Sequence, residues 1–158
     1  MRLLVICLGN ICRSPMAEGA LRARIAEAGL SDWLQVDSAG TGGWHAGEPP
    51  DHRAVVTAES NGVDISMLRA RQLQAADFDD FDWLLCADRS NLRDVRARVP
   101  AAAHGRIALL REWAGAHKGA EIADPYTGGQ RHFDAVWAQV DTAAQAIVAR
   151  FARQRGGV

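Results

Sequence analysis

Leu3-Leu4-Val5-Ile6-Cys7-Leu8-Gly9-Asn10-Ile11-Cys12-Arg13-Ser14-Pro15 is the stretch on which the reading of the fold turns. Leu3 to Ile6 form an unbroken apolar run of strand formers, as expected of a strand buried on both faces. The run breaks at Gly9-Asn10. Ser14 then reads as the N-cap of a helix, with Pro15 at the first helical position, where a missing N–H costs nothing. Leu21, Ile25 and Ala28 keep helical spacing, and Gly29 ends the helix.

Outward from there the alternation continues. A second strand is expected over Leu34 to Ser38, followed by a loop from Ala39 to Pro50 and a helix from Asp51 to Asn61, ended by Gly62. Phe81 to Cys86 reads as a third strand, Ser90 to about Arg98 as a helix stopped by Pro100, and Ile107 to Leu110 as a fourth strand. Val136, Val140, Ala144, Ile147 and Phe151 repeat at helical spacing in a last helix from about Phe133 to Phe151. Strands alternating with helices imply an α/β domain, a parallel sheet with helices on both faces. Such sheets carry their sites at the carboxyl ends of strands, and Cys7 stands at the end of the first. One domain is expected over residues 1–153, with a frayed tail from Gln154 to Val158.

Composition narrows the function classes. The chain has 158 residues, 48% of them hydrophobic and 23% charged, with a net charge of −1, so it has no overall attraction to nucleic acid or an anionic membrane. The apolar run Leu3 to Leu8 is too short for a signal peptide and nothing approaches a membrane span. Cys7, Cys12 and Cys86 are an odd number without metal-ligand spacing, so free thiols and a cytoplasmic location are expected.

The spacing from Cys7 to Arg13 is C-x5-R, between a buried strand and a helix start. Successive backbone N–H groups from Leu8 through Gly9, Asn10, Ile11, Cys12 and Arg13 to Ser14 would make an anion-binding nest, helped by the helix dipole. Gly9 allows close backbone approach, and Asn10 tolerates a left-handed conformation. Arg13 offers a planar fork to two phosphate oxygens, which lysine could not. The same field favours the thiolate form of Cys7, and a hydroxyl from Ser14 adds to it. A cysteine ending an apolar strand is usually core, and C-x5-R alone arises by chance; the strand, glycine loop and Arg-Ser-Pro helix start together make the nucleophile reading specific.

Cys7-Leu8-Gly9-Asn10-Ile11-Cys12-Arg13-Ser14-Pro15-Met16-Ala17-Glu18 resembles the signature of the low-molecular-weight protein tyrosine phosphatases. The likeness runs on through Asp37-Ser38-Ala39-Gly40-Thr41, Trp44-His45-Ala46-Gly47, Pro50-Asp51-His52-Arg53-Ala54, Arg69-Ala70-Arg71-Gln72-Leu73 and Asp124-Pro125-Tyr126. It implies a four-stranded parallel sheet and a phosphocysteine reaction, with Cys7 as nucleophile, Arg13 as phosphate clamp and Asp124 as general acid and then base. No metal or cofactor is implied. Without the resemblance, Asp124 would read as a turn residue before proline. The substrate pocket is expected at Ile11, Trp44 and Tyr126, with Leu8 beside Ile11 at its base, while Trp83 and Trp113 read more readily as core. A phosphoarginine-specific branch resembles this loop but carries threonine at the position of Ile11, so Ile11 favours phosphotyrosine.

Two positions depart from the pattern. Leu68 stands where relatives often have a histidine that supports the loop asparagine, which leaves Ser14 and Ser38 to hold Asn10. Thr127 replaces a second tyrosine. The resemblance also implies that Cys12 forms a reversible disulfide with an oxidised Cys7, whereas Cys86 reads as core. The expected partner is a phosphotyrosine-containing protein, a bacterial tyrosine kinase among the candidates, and the expected state is a monomer or weak dimer. The competing functions are a thioredoxin-coupled arsenate reductase, a phosphoarginine phosphatase and a phosphopeptide-binding module without turnover.

Overall fold

The first strand, β1 (Arg2–Cys7), is buried past its first residue because its two faces meet two different cores. Leu3, Val5 and Cys7 point into one hydrophobic cluster, Leu4 and Ile6 into the other. The structure is a computed structural model and describes residues 1–156. β2 (Gln35–Gly40), β3 (Trp83–Cys86) and β4 (Ile107–Leu109) complete a sheet of order β2-β1-β3-β4 with every pairing parallel. Register aligns the carboxyl ends: Cys7 faces Gly40, Ile6 faces Cys86, and Cys86 faces Leu109. The chain leaves β1 toward β2 and returns to its other side at β3. That reversal opens a crevice at the end of β1.

Helices α1 (Arg13–Glu27), α2 (His52–Ser60) and α6 (Gln130–Gly156) pack together on the first face, where the stripe Phe133, Val136, Val140, Ala144, Ile147 and Phe151 is buried throughout. α4 (Arg89–Arg98) covers the second with Val95, beside Phe78 of the short α3 (Asp77–Asp80). Trp83 and Trp113 meet at 5.3 Å between ring centroids and pack, partly buried, against the first core, Trp113 at the end of the short α5 (Leu110–Trp113). No helix among the described residues is long and apolar enough to cross a membrane.

The structure departs from the sequence expectations at several ends. Helix α1 starts at Arg13, with Cys12 as its cap residue and no side-chain cap bond, so Ser14 is not the N-cap and Pro15 lies in the first turn. Proline is tolerated there because first-turn N–H groups have no intrahelical acceptor. β3 begins at Trp83 rather than Phe81, and Leu110 opens α5 instead of ending β4. Gln154 to Gly156 continue α6, while the last two residues of the expected tail lie outside the described ones.

Candidate active site

Backbone accounting defines the loop between β1 and α1. The carbonyls of Cys7, Leu8, Ile11 and Cys12 accept from the N–H groups of Thr41, Gly42, Asp51 and Met16. By contrast, no backbone N–H from Leu8 to Cys12 donates to another group of the described residues. A loop with most of its carbonyls satisfied and its amides free is built for an anion, and the uncapped start of α1 adds its dipole to the same spot.

Asn10 holds this shape. Its φ of 58° is the one positive value at a non-glycine position among the described residues. Its Nδ2 donates to Ser14 Oγ at 2.7 Å and to Ser38 Oγ at 3.0 Å, while Oδ1 accepts from the Arg71 N–H at 3.0 Å. That last bond fixes the amide orientation, since a backbone N–H only donates. The loop therefore does not depend on Ser14 and Ser38 alone: the backbone of Arg71 supplies a third bond despite Leu68. Ser38 Oγ donates to Glu18 Oε1 at 2.6 Å, and Arg22 braces the buried Glu18 from its other oxygen. Burial pushes the Glu18 carboxyl up, opposed by the Ser38 and Arg22 bonds. With its lone pair taken by Asn10, Ser14 Oγ is free to donate to Cys7 Sγ, 3.0 Å away.

Arg13 is 3% exposed and held along one edge. Its Nη1 donates to Asp88 Oδ2 at 2.6 Å and to the Ile122 carbonyl at 2.9 Å, and Nη2 lies 3.6 Å from Asp124 Oδ2. Burial opposes the guanidinium charge, but Cys7, Asp88 and Asp124 more than offset it and hold its pKa above the ordinary value. Asp124 sits in a turn after all, its Oδ1 accepting from the Tyr126 N–H at 3.1 Å. The turn fixes the carboxylate and leaves Oδ2 facing the guanidinium.

A cavity of about 180 Å³ extends from the buried Cys7, Cys12 and Arg13, past Ile11 and Asp124, to Trp44, His45 and Tyr126. Trp44 is 73% and Tyr126 51% exposed, so both offer ring faces at the mouth, and Leu8 at 42% lies at that rim rather than at the base. A larger hollow of about 500 Å³ lies at the opposite end of the sheet, against Arg2 and Gln35, and holds no thiol. Burial above all, with Asp51 and Cys7 close by, pushes the Cys12 thiol up to about 12. Cys86 is fully buried on the other face of the sheet.

Three contributors escaped the sequence reading. Asp88 anchors Arg13 while capping α4 through Asn91; its position just past the end of a central strand was the available signal. Arg53 donates to Asp51, to the Tyr126 carbonyl at 2.9 Å and to the Gly128 carbonyl at 3.0 Å, and lies over the Tyr126 ring, so it holds the loop bearing that wall. His45 enters the cavity lining with Nδ1 on Glu48.

Comparison with known proteins agrees with this geometry. A family model described as low molecular weight phosphotyrosine protein phosphatase matches residues 2–156. A low molecular weight phosphotyrosine protein phosphatase of Schizosaccharomyces pombe is 38% identical over 141 residues, covering 89% of this chain and 90% of its own length. The crystal structure of a protein tyrosine phosphatase from Entamoeba histolytica superposes with a TM-score of 0.90 at 30% identity, covering 100% of this chain and 99% of that one. A Drosophila structure described as an arginine phosphatase superposes at 0.86 with 31% identity, covering 96% and 98%.

Proposed function

Because the chain belongs to the low molecular weight phosphotyrosine protein phosphatases, a family of phosphoric monoester hydrolases, we propose that it cleaves phosphotyrosine in proteins through a phosphocysteine formed on Cys7. The observation that carries this reading is the set of free amides from Leu8 to Cys12 closing around a thiol, with Arg13 alongside. The phosphate dianion sits on the amides and on the free edge of Arg13, placing phosphorus over Cys7 Sγ. Sulfur attacks in line, the P–O bond to the phenol breaks, and protonated Asp124 gives its proton to the departing oxygen. Water then attacks the phosphocysteine, Asp124 takes its proton, the P–S bond breaks, and phosphate leaves the regenerated thiolate. Asn10, Ser14 and Ser38 keep the loop in shape, and Asp88 orients Arg13.

Trp44, Tyr126 and Ile11 support an aryl ester over an alkyl one, because stacked rings reward a flat leaving group. The apolar Ile11 weighs against phosphoarginine, whose guanidino group would need a polar partner. For the arsenate-reducing alternative, Cys86 would have to relay electrons from a buried position across the sheet from Cys7. Cys12 is proposed as redox partner: a peroxide oxidises the Cys7 thiolate to a sulfenic acid, its O–O bond breaking, the sulfenic acid and the Cys12 thiol condense to a disulfide with loss of water, and an added dithiol reduces it back to two thiols. The free thiols support a cytoplasmic setting, with a phosphorylated protein, such as a tyrosine kinase, as partner.

Purified protein is expected to hydrolyse para-nitrophenyl phosphate and phosphotyrosine peptides in the presence of a chelator. Cys7→Ser should lose turnover yet bind inorganic phosphate, and Asp124→Ala should lose about 10²-fold or more in kcat on aryl phosphates. Undiminished turnover in either variant overturns the assignment of that residue, and faster release of phosphate from phosphoarginine than from phosphotyrosine overturns the substrate.

A further inference from the structure

A second charged hollow, of about 370 Å³, lies between α4 and the loop that leads to Asp124. Arg89, Arg93 and Arg96 line it at i, i+4 and i+7 of the helix, one face, and Lys118 faces them from the loop. None of these four cations has an ion-pair partner among the described residues, whereas Arg13, Arg22, Arg24, Arg53 and Arg71 are each paired. One carboxylate lines the hollow, Glu112, and its Oε2 accepts from the Gly119 N–H at 3.3 Å. Four cations against one carboxylate is a local excess in a chain of net charge −1.

The hollow opens beside the cleft. Leu109, which lines it, is in register with Cys86, and Cys86 with Ile6, the residue before Cys7. Two strand spacings separate them, about 10 Å, and in a parallel sheet these ends open on the same edge. Arg89 follows the Asp88 that holds Arg13, and its N–H donates to Glu121 Oε2. The loop from Lys118 to Asp124 is thus a wall common to both sites. The mouth of the cleft itself offers no unpaired arginine or lysine, since Arg53 is held by Asp51 and Arg13 by Asp88.

Resting on the reading of the cleft as a phosphotyrosine site, we propose that this hollow receives the acidic flank of the phosphoprotein substrate. An extended chain advances about 3.3 Å per residue, so Asp or Glu side chains about three to five residues from the phosphotyrosine reach it. Recognition is by charge from several long side chains rather than one fixed pair, which places the selectivity in encounter and KM rather than in the chemical step.

The test compares phosphotyrosine peptides that differ only in Glu or Gln at those distances, on either side. Wild-type protein is expected to show kcat/KM about fivefold to tenfold higher for the Glu peptides at low salt, carried by KM, with the gap closing at roughly 0.5 M salt. Arg93→Glu, Arg96→Glu and Lys118→Glu combined should abolish the preference while kcat/KM on para-nitrophenyl phosphate stays unchanged. Equal treatment of the peptides by wild type, or a preference that persists in the triple variant, overturns the proposal. Para-nitrophenyl phosphate turnover in the same preparations reports on Cys7 chemistry alone, so a failure of the cleft reading is seen separately.

Discussion

At the scale of single residues, the cleft is a set of fixed orientations around one thiol. Asn10 is strained, and three bonds keep it there. Arg13 gains its orientation from Asp88 and the Ile122 carbonyl, which hold one edge of the guanidinium and free the other. Asp88→Asn separates this task from helix capping. Asparagine still accepts from the Asn91 N–H, but its amide turns a donor or a neutral oxygen toward Arg13. The expected result is a tenfold to hundredfold fall in kcat/KM for para-nitrophenyl phosphate, at roughly constant thermal stability. Unchanged kinetics would mean that the Ile122 carbonyl orients Arg13 by itself.

Among elements, the close approach of β2 to the phosphate loop matters most. Gly40 ends β2 opposite Cys7, and a Cβ there would come within 2.8 Å of the Leu8 carbonyl oxygen and 3.0 Å of that of Gly42. Both are backbone atoms, which cannot swing aside as a side chain would. Gly40→Ala should push the loop off its shape: weaker inhibition by inorganic phosphate and a lower kcat, with about 1–3 kcal/mol lost in unfolding experiments. Phosphate inhibition equal to wild type would show that the loop absorbs the methyl group. The loop's dependence on β2 also explains why Ser38, two residues earlier, reaches Asn10.

For the whole molecule, α1 and α6 enclose the first core and are tied at the surface by Arg24 and Asp141, whose two bonds measure 3.0 and 2.9 Å. The Arg24 bond holds the Asp141 carboxyl below its ordinary 3.8. With the folded value below the unfolded one, the folded protein binds fewer protons in that range. The pair therefore stabilises above the unfolded value and is lost as pH falls through the folded one. Asp141→Asn should lower Tm by about 2–4 °C near neutral pH, corresponding to about 1 kcal/mol, with the difference shrinking as the pH falls below the ordinary carboxylate range. A gap that persists in acid would assign the effect to packing.

The chain's own order of residues determined the architecture and the chemistry of this protein. The apolar run into Cys7, the stripe from Val136 to Phe151 and the C-x5-R spacing are local, and periodicity and loop composition express them without a partner. Ser14 marks where that local reading fails. Serine before proline favours a cap, but here the hydroxyl turns to a sulfur and an amide, and the first turn stays open for an anion. Short elements such as α3 and α5 were equally illegible, since four residues carry no period. Only the tertiary structure decided that Asp88, Ile122 and Asp124 converge on Arg13 and that Arg71 lends Asn10 a backbone bond. Those groups lie 61 to 111 residues from their partners in sequence, and what joins them is the parallel sheet, which brings its strand ends to one edge.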